Sequence, residues 1–95
     1  MAHVLLTFRS RLVTEDGTAF IARVWGCKRD DGLWEGWIEF VAEDGGAVAR
    51  TPRETTQPNL TDLSYWASGL GPVYLEGAFR RAGPFPGGQI AVESA

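Results

Sequence analysis

The chain has 95 residues, enough for one domain and too few for two, and 44% hydrophobic with 12% aromatic content can supply a single core. A formal net charge of −3 gives no general field for phosphates, which argues against nucleic acid as a partner, although eight of the nine basic residues are Arg, the side chain suited to bidentate pairing. The single cysteine, Cys27, excludes an internal disulfide and a cysteine-built zinc cluster, in keeping with a reducing compartment.

No apolar run approaches the roughly 18 residues that cross a bilayer, and MAHVLLTFRSRL lacks the pattern of a cleaved leader. The expectation is therefore a soluble, cytoplasmic chain without a membrane partner.

Asp-Gly recurs at Asp16-Gly17, Asp31-Gly32 and Asp44-Gly45, each pair flanked by Val, Ile, Phe, Trp and Thr. Glycine supplies positive φ and aspartate tolerates it, so the three pairs predict hairpin turns. Four strands follow, near Val4 to Thr14, Thr18 to Arg29, Leu33 to Ala42 and Gly46 to Thr51, forming an antiparallel meander.

A three-residue second loop with a glycine bulge is expected to set Val24 opposite Phe40, Gly26 opposite Ile38 and Arg29 opposite Glu35. The same choice at the first turn places Phe8 over Gly26. A two-residue third loop sets Glu39 opposite Arg50 and Val41 opposite Val48. One face then carries Leu6, Phe8, Leu12, Phe20, Val24, Ile38 and Phe40 and is assigned to the core; the other carries Arg23, Trp25, Cys27, Trp37, Glu39 and Arg50. A two-residue second loop would instead oppose Val24 and Glu39, a less consistent pairing.

Beyond the meander, Asn59 followed by Asp62 reads as a helix N-cap, and Leu60, Leu63, Ala67 and Leu70 recur at helical spacing with Trp66 beside them. In PVYLEGAFRRA, the alternation of Val73, Leu75, Gly77 and Phe79 predicts a returning fifth strand. A second helix beginning at Pro72 is the competing reading. Residues 1–82 form the predicted domain, and 83–95, rich in Gly and Pro, a loose tail with a short strand at Gln89 to Val92. The fold class is mostly β (α+β): a four-stranded antiparallel meander, one short helix and a fifth strand. It would be either a partly open small barrel with SH3-like element order or a twisted sheet packed with one helix.

Two surfaces qualify as candidate sites. Arg50, Arg53, Glu54, Thr55, Thr56 and Gln57 concentrate polar groups between the fourth strand and the helix. A connector explains the position, while two guanidinium groups among hydroxyls are also equipment for a small anion or ligand. Trp25, Trp37, Arg23, Glu39 and Arg50 share the outer face and are the residue types that anchor protein interfaces. A protein partner or a second copy in a homodimer is the natural occupant there.

Catalysis has no visible constellation. His3 is alone, Cys27 has no base near it in sequence, Glu35 and Glu39 have expected arginine partners, and Asp30-Asp31-Gly32 lacks the remaining ligands of a calcium loop. No metal or cofactor is expected, and the chain reads as a non-catalytic binding or adaptor module. The alternative is a small-molecule or anion-binding protein, or an accessory subunit of an enzyme.

Overall fold

The computed structural model describes residues 1–83 and 90–93. Strands β1 (Ala2–Thr14), β2 (Ala19–Lys28), β3 (Trp34–Ala42) and β4 (Val48–Arg50) are joined by the three Asp-Gly turns. In each turn the aspartate carboxylate accepts a hydrogen bond from the backbone N–H two residues on: Thr18 to Asp16 at 3.1 Å, Leu33 to Asp31 at 3.0 Å and Gly46 to Asp44 at 2.7 Å. The following glycine adopts φ of 88°, 86° and 78° at Gly17, Gly32 and Gly45. Each turn is thus held twice, by a side-chain acceptor and by a backbone that only glycine adopts readily.

The second loop is Asp30 to Gly32, closed by the Arg29 N–H donating to the Leu33 carbonyl at 2.7 Å. Arg29 therefore faces Leu33, and the observed pairs are Val24 with Ile38, Gly26 with Gly36, Trp25 with Trp37 and Arg23 with Glu39. The expected pairs, Val24 with Phe40, Gly26 with Ile38 and Arg29 with Glu35, were two residues out of step. The loop length was right, and counting outward from Arg29 opposite Leu33 gives the observed pairs. An even shift leaves each side chain on its face, so of the expected core Leu12, Phe20, Val24, Ile38 and Phe40 are buried, while Leu6 and Phe8 are half-buried and pack against them.

Phe8 does not cover Gly26. The first loop, with Thr14 facing Thr18, carries the same two-residue offset, and register irregularities between Val4 and Leu6 and between Thr7 and Arg11 slide β1 further, so Gly26 pairs with His3. The third turn pairs Glu39 with Arg50 and Val41 with Val48 as expected.

The sheet runs β4-β3-β2-β1-β6, with β6 (Ile90–Glu93) antiparallel to β1 and β5 (Thr55–Gln57) on β3 beyond β4. Its two edges do not meet, so it is an open sheet and not a barrel. The expected tail falls partly on 84–89 and 94–95, outside the described residues, as does Gln89 of the expected short strand.

Helix α1 (Leu60–Ser68) begins as expected, with the Asn59 side chain accepting from the Asp62 N–H at 2.8 Å. PVYLEGAFRRA is a second helix, α2 (Pro72–Ala82), and not a strand. Pro72 stands in its first turn with φ already suited to helix. Leu75, Ala78 and Phe79 form its buried stripe, while Val73, which seemed to begin an alternation, is 83% exposed. Phe79 meets Phe20 and Phe40 edge-on with ring centroids 5.0 and 5.1 Å away, locking α2 onto the sheet.

Glu54 ties α2 to the strand edge. Its carboxylate accepts from the Tyr74 hydroxyl at 2.7 Å and from Arg81 Nε and Nη2 at 3.1 and 2.6 Å, with its side chain only 7% exposed. Burial pushes this carboxyl up, but the Arg81 and Tyr74 hydrogen bonds and the Arg81 charge outweigh it and hold it below the ordinary glutamate value. Burial, with the Glu54 hydrogen bond and charge, pushes the Tyr74 phenol up to about 12.

A carboxyl depressed in the folded state adds stability that is present above its unfolded pKa and lost as pH falls through the folded one. Urea midpoints followed from about pH 6 down to pH 3 should therefore fall less steeply in Glu54→Gln than in the parent chain. Equal slopes would show that the clamp does not contribute to acid stability.

The Gly26 and Gly36 pair seats α1 on the sheet. A Cβ at Gly26 would lie 2.7 Å from Leu63 Cδ2 and 2.8 Å from Leu5 Cδ1, and one at Gly36 would lie 2.9 Å from Leu63 Cδ1. Leu63 is fully buried, so it has little room to yield. Gly26→Ala should cost about 1 to 3 kcal/mol. In a Leu63→Ala background that cost should drop by more than about 0.5 kcal/mol. Identical costs in both backgrounds, measured by urea unfolding, would mean that Leu63 is not what the glycine accommodates.

Candidate functional site

Helices α1 and α2 lie on the face of the sheet that carries the core, so among the described residues the opposite face is left to β1 to β4 themselves. The register arranges that outer face in rows across the strands. Val4, Trp25 and Trp37 form one row, Thr7, Arg23, Glu39 and Arg50 the next, and Arg11, Ile21, Val41 and Val48 a third. An aromatic row and an aliphatic row thus flank a charged one.

The charged row is organised by Glu39. Its Oε1 accepts from Arg23 Nε at 3.0 Å and from Arg23 Nη2, and also from Trp25 Nε1 at 3.1 Å. Three donors on one oxygen fix the carboxylate, whose side chain is 17% exposed. Arg50 is opposite Glu39 as expected, but the ion pair goes to Arg23. The Arg50 guanidinium lies over the Trp37 ring, 4.8 Å from its centroid, while Arg23 sits 5.8 Å from that of Trp25. Arg50 is the roof of Trp37.

That roof changes the standing of the tryptophans. Trp37 is 9% exposed in the single chain, Trp25 is half-buried, and the cover comes from the face's own side chains and not from a helix. Trp66, on α1, instead meets Tyr74 edge-on at 6.1 Å. The available apolar surface is the remainder of Trp25 with Val4 and Val48, exposed to 42% and 62%.

The stretch Arg50 to Gln57 is spent largely on the fold. The Thr51 N–H donates to the Ile38 carbonyl at 2.9 Å, and its buried hydroxyl accepts from the Ile38 N–H at 3.1 Å, replacing ladder bonds where β4 stops. Glu54 holds α2, Thr55 accepts from Gln57 Nε2 at 2.8 Å, and Arg53 and Thr56 are exposed. Arg50 pairs with Glu39 and Gln57 with Trp34, positions of opposite parity on β3, so their side chains belong to opposite faces. They are also separated along it by roughly 17 Å. A single anion site made by Arg50, Arg53 and Gln57 is not assembled.

A cleft of about 190 Å³ between the first and third turns is lined by Thr14, Asp16, Thr18, Phe20 and Asp44. Hydrogen bonds from Thr14 and Thr18 hold the Asp16 carboxyl below its ordinary range. Among the described residues no group of three or more His, Cys, Asp and Glu side chains is placed to hold a metal, and no helix is long and apolar enough to cross a membrane.

The aliphatic row of Ile21, Val41 and Val48 extends the face beyond the expected residues. Alternation along β2 and β3 carried that signal, since these positions share parity with Trp25 and Trp37. No protein-family description, curated protein or solved structure matches this chain.

Arg50→Ala should raise quenching of tryptophan fluorescence by acrylamide while costing less than about 1 kcal/mol, the scale of an exposed cation–π contact. Trp37→Ala should cost about 3 kcal/mol, because it empties a buried site. A Trp37→Ala protein as stable as its parent would show that the ring is not packed as described.

Proposed function

We propose that this chain is a non-catalytic binding module that docks another protein surface through its outer sheet face, with a second copy of the chain as the simplest occupant. The observation that supports this most directly is the fixed charged row, Arg23, Glu39 and Arg50, set between an aromatic and an aliphatic row on a face where neither α1 nor α2 packs.

Interface centres combine apolar area with pre-organised arginines, and here both guanidinium groups are held by stacking before any partner arrives. The face also balances its charges: Arg11, Arg23 and Arg50 are matched by Glu35, Glu39 and Glu43 on or beside it. Two copies related by a two-fold axis can therefore meet without stacking one sign on itself.

Sedimentation at micromolar concentration tests the reading. A dimer is expected, and Val48→Glu, a change at an exposed position, should weaken it by about tenfold or more, equivalent to about 1.4 kcal/mol, with the far-ultraviolet circular dichroism unchanged. A monomer at all concentrations would remove the second copy as occupant, and an unweakened Val48→Glu dimer would move the interface elsewhere.

A further inference from the structure

The two edges of the sheet are protected very differently. One is made of β4 and β5, three residues each, with Pro52 between them and Pro58 immediately after. Short strands and prolines are standard ways to stop a foreign strand from adding. The other edge belongs to β1, which is 13 residues long and contains no proline. β6 pairs with it only from Arg11 to Thr14, so among the described residues no strand covers that side over Ala2 to Ser10. Ala2, His3, Val4, Thr7 and Arg9 are all exposed there.

We propose that the β1 edge over Ala2 to Ser10 is a strand-addition site for an extended acidic segment of another protein. The chain supplies its own precedent. β6, with sequence IAVE, already adds antiparallel to β1, and its register sets Glu93 opposite Arg11 and Val92 opposite Leu12. A strand continuing along this edge meets Ser10 and then Arg9.

The first 14 residues carry Arg9, Arg11 and His3 and no Asp or Glu, within a chain of net charge −3. Self-pairing of β1 would bring cationic strands together, whereas a segment alternating acidic and apolar residues can set an acid opposite Arg9, as the β6 register sets Glu93 opposite Arg11. Strand addition takes its affinity from the backbone and its selectivity from alternate side chains, and both are on offer here. The two register irregularities of β1 divide the site into a regular part, Ala2 to Val4 and Leu6 to Thr7, and a bulged part around Arg9. This inference does not rest on the outer-face reading, although Val4 belongs to both surfaces.

A capped heptapeptide alternating glutamate and valine is the probe, and amide hydrogen exchange followed residue by residue is the readout. At a peptide concentration about ten times its dissociation constant, the amides of Ala2 to Ser10 that point away from β2 should exchange about tenfold more slowly. Arg9→Glu should weaken the probe by about tenfold and favour its lysine-valine counterpart. A peptide N-methylated at alternate residues, charged identically but short of donors, should not protect.

Unchanged exchange along β1 overturns the proposal. So does protection that survives N-methylation, because binding would then not be strand pairing. Protection that rises with protein concentration alone would assign the edge to a second copy and overturn the acidic segment as occupant. Repeating the exchange in Val48→Glu, which weakens an outer-face dimer without altering β1, keeps the two readings apart.

Discussion

The register of the β2–β3 hairpin is the constraint on which the rest depends. One alignment opposes Gly26 to Gly36 on the inner face and Trp25 to Trp37 on the outer face. The glycine pair makes a depression that receives Leu63, so helix α1 can approach the sheet closely. The tryptophan pair makes a raised ridge that no helix could approach as closely. The close seat of α1 therefore follows from this one alignment, while α2 docks on the same face through Phe79 against Phe20 and Phe40.

The connection after β4 is subordinate to the same hairpin. β3 is the partner of β4 at one end and of β5 at the other, and Thr51 bridges the gap by lending its hydroxyl to the Ile38 N–H. Only because β5 returns to β3 does Glu54 come within reach of Tyr74 and Arg81. A polar stretch with the composition of a ligand loop is thus consumed by edge pairing and by the anchoring of α2. A hydrogen-bonded carboxylate shielded to this degree contributes more than an exposed ion pair, whose value is small.

Features governed by neighbours in sequence were the legible ones. Asp-Gly turns, the Asn59 cap and the alternation that assigns Phe20, Val24, Ile38 and Phe40 to the core each need only a few adjacent residues, and all are observed. Pairing across strands needs a count through each loop, and an error of two residues there is silent in the hydrophobic pattern, because parity is preserved. Only the identity of facing residues exposes it, as with Trp25 and Trp37.

The sequence PVYLEGAFRRA was ambiguous for a different reason. Val73, Leu75, Gly77 and Phe79 satisfy a period of two, while Leu75, Ala78 and Phe79 satisfy a period near 3.6, and the conflict is resolved by where Phe79 can be buried. Packed between Phe20 and Phe40, it selects the helix. Neither the roofing of Trp37 by Arg50 nor the transfer of the Glu39 ion pair to Arg23 was legible, since both are choices among long side chains within reach of one another.

That last choice bears on how the outer face would be used. A guanidinium stacked on an aromatic ring keeps its N–H edge available, because the ring occupies the flat face and not the donors. A partner carboxylate could approach Arg50 edgewise without uncovering Trp37, so the stacking that buries the tryptophan need not be undone on binding. Arg23 differs, because Glu39 already takes its Nε and Nη2. The two arginines of the charged row are therefore unequal: Arg23 holds the row together, and Arg50 is the one equipped to reach outward.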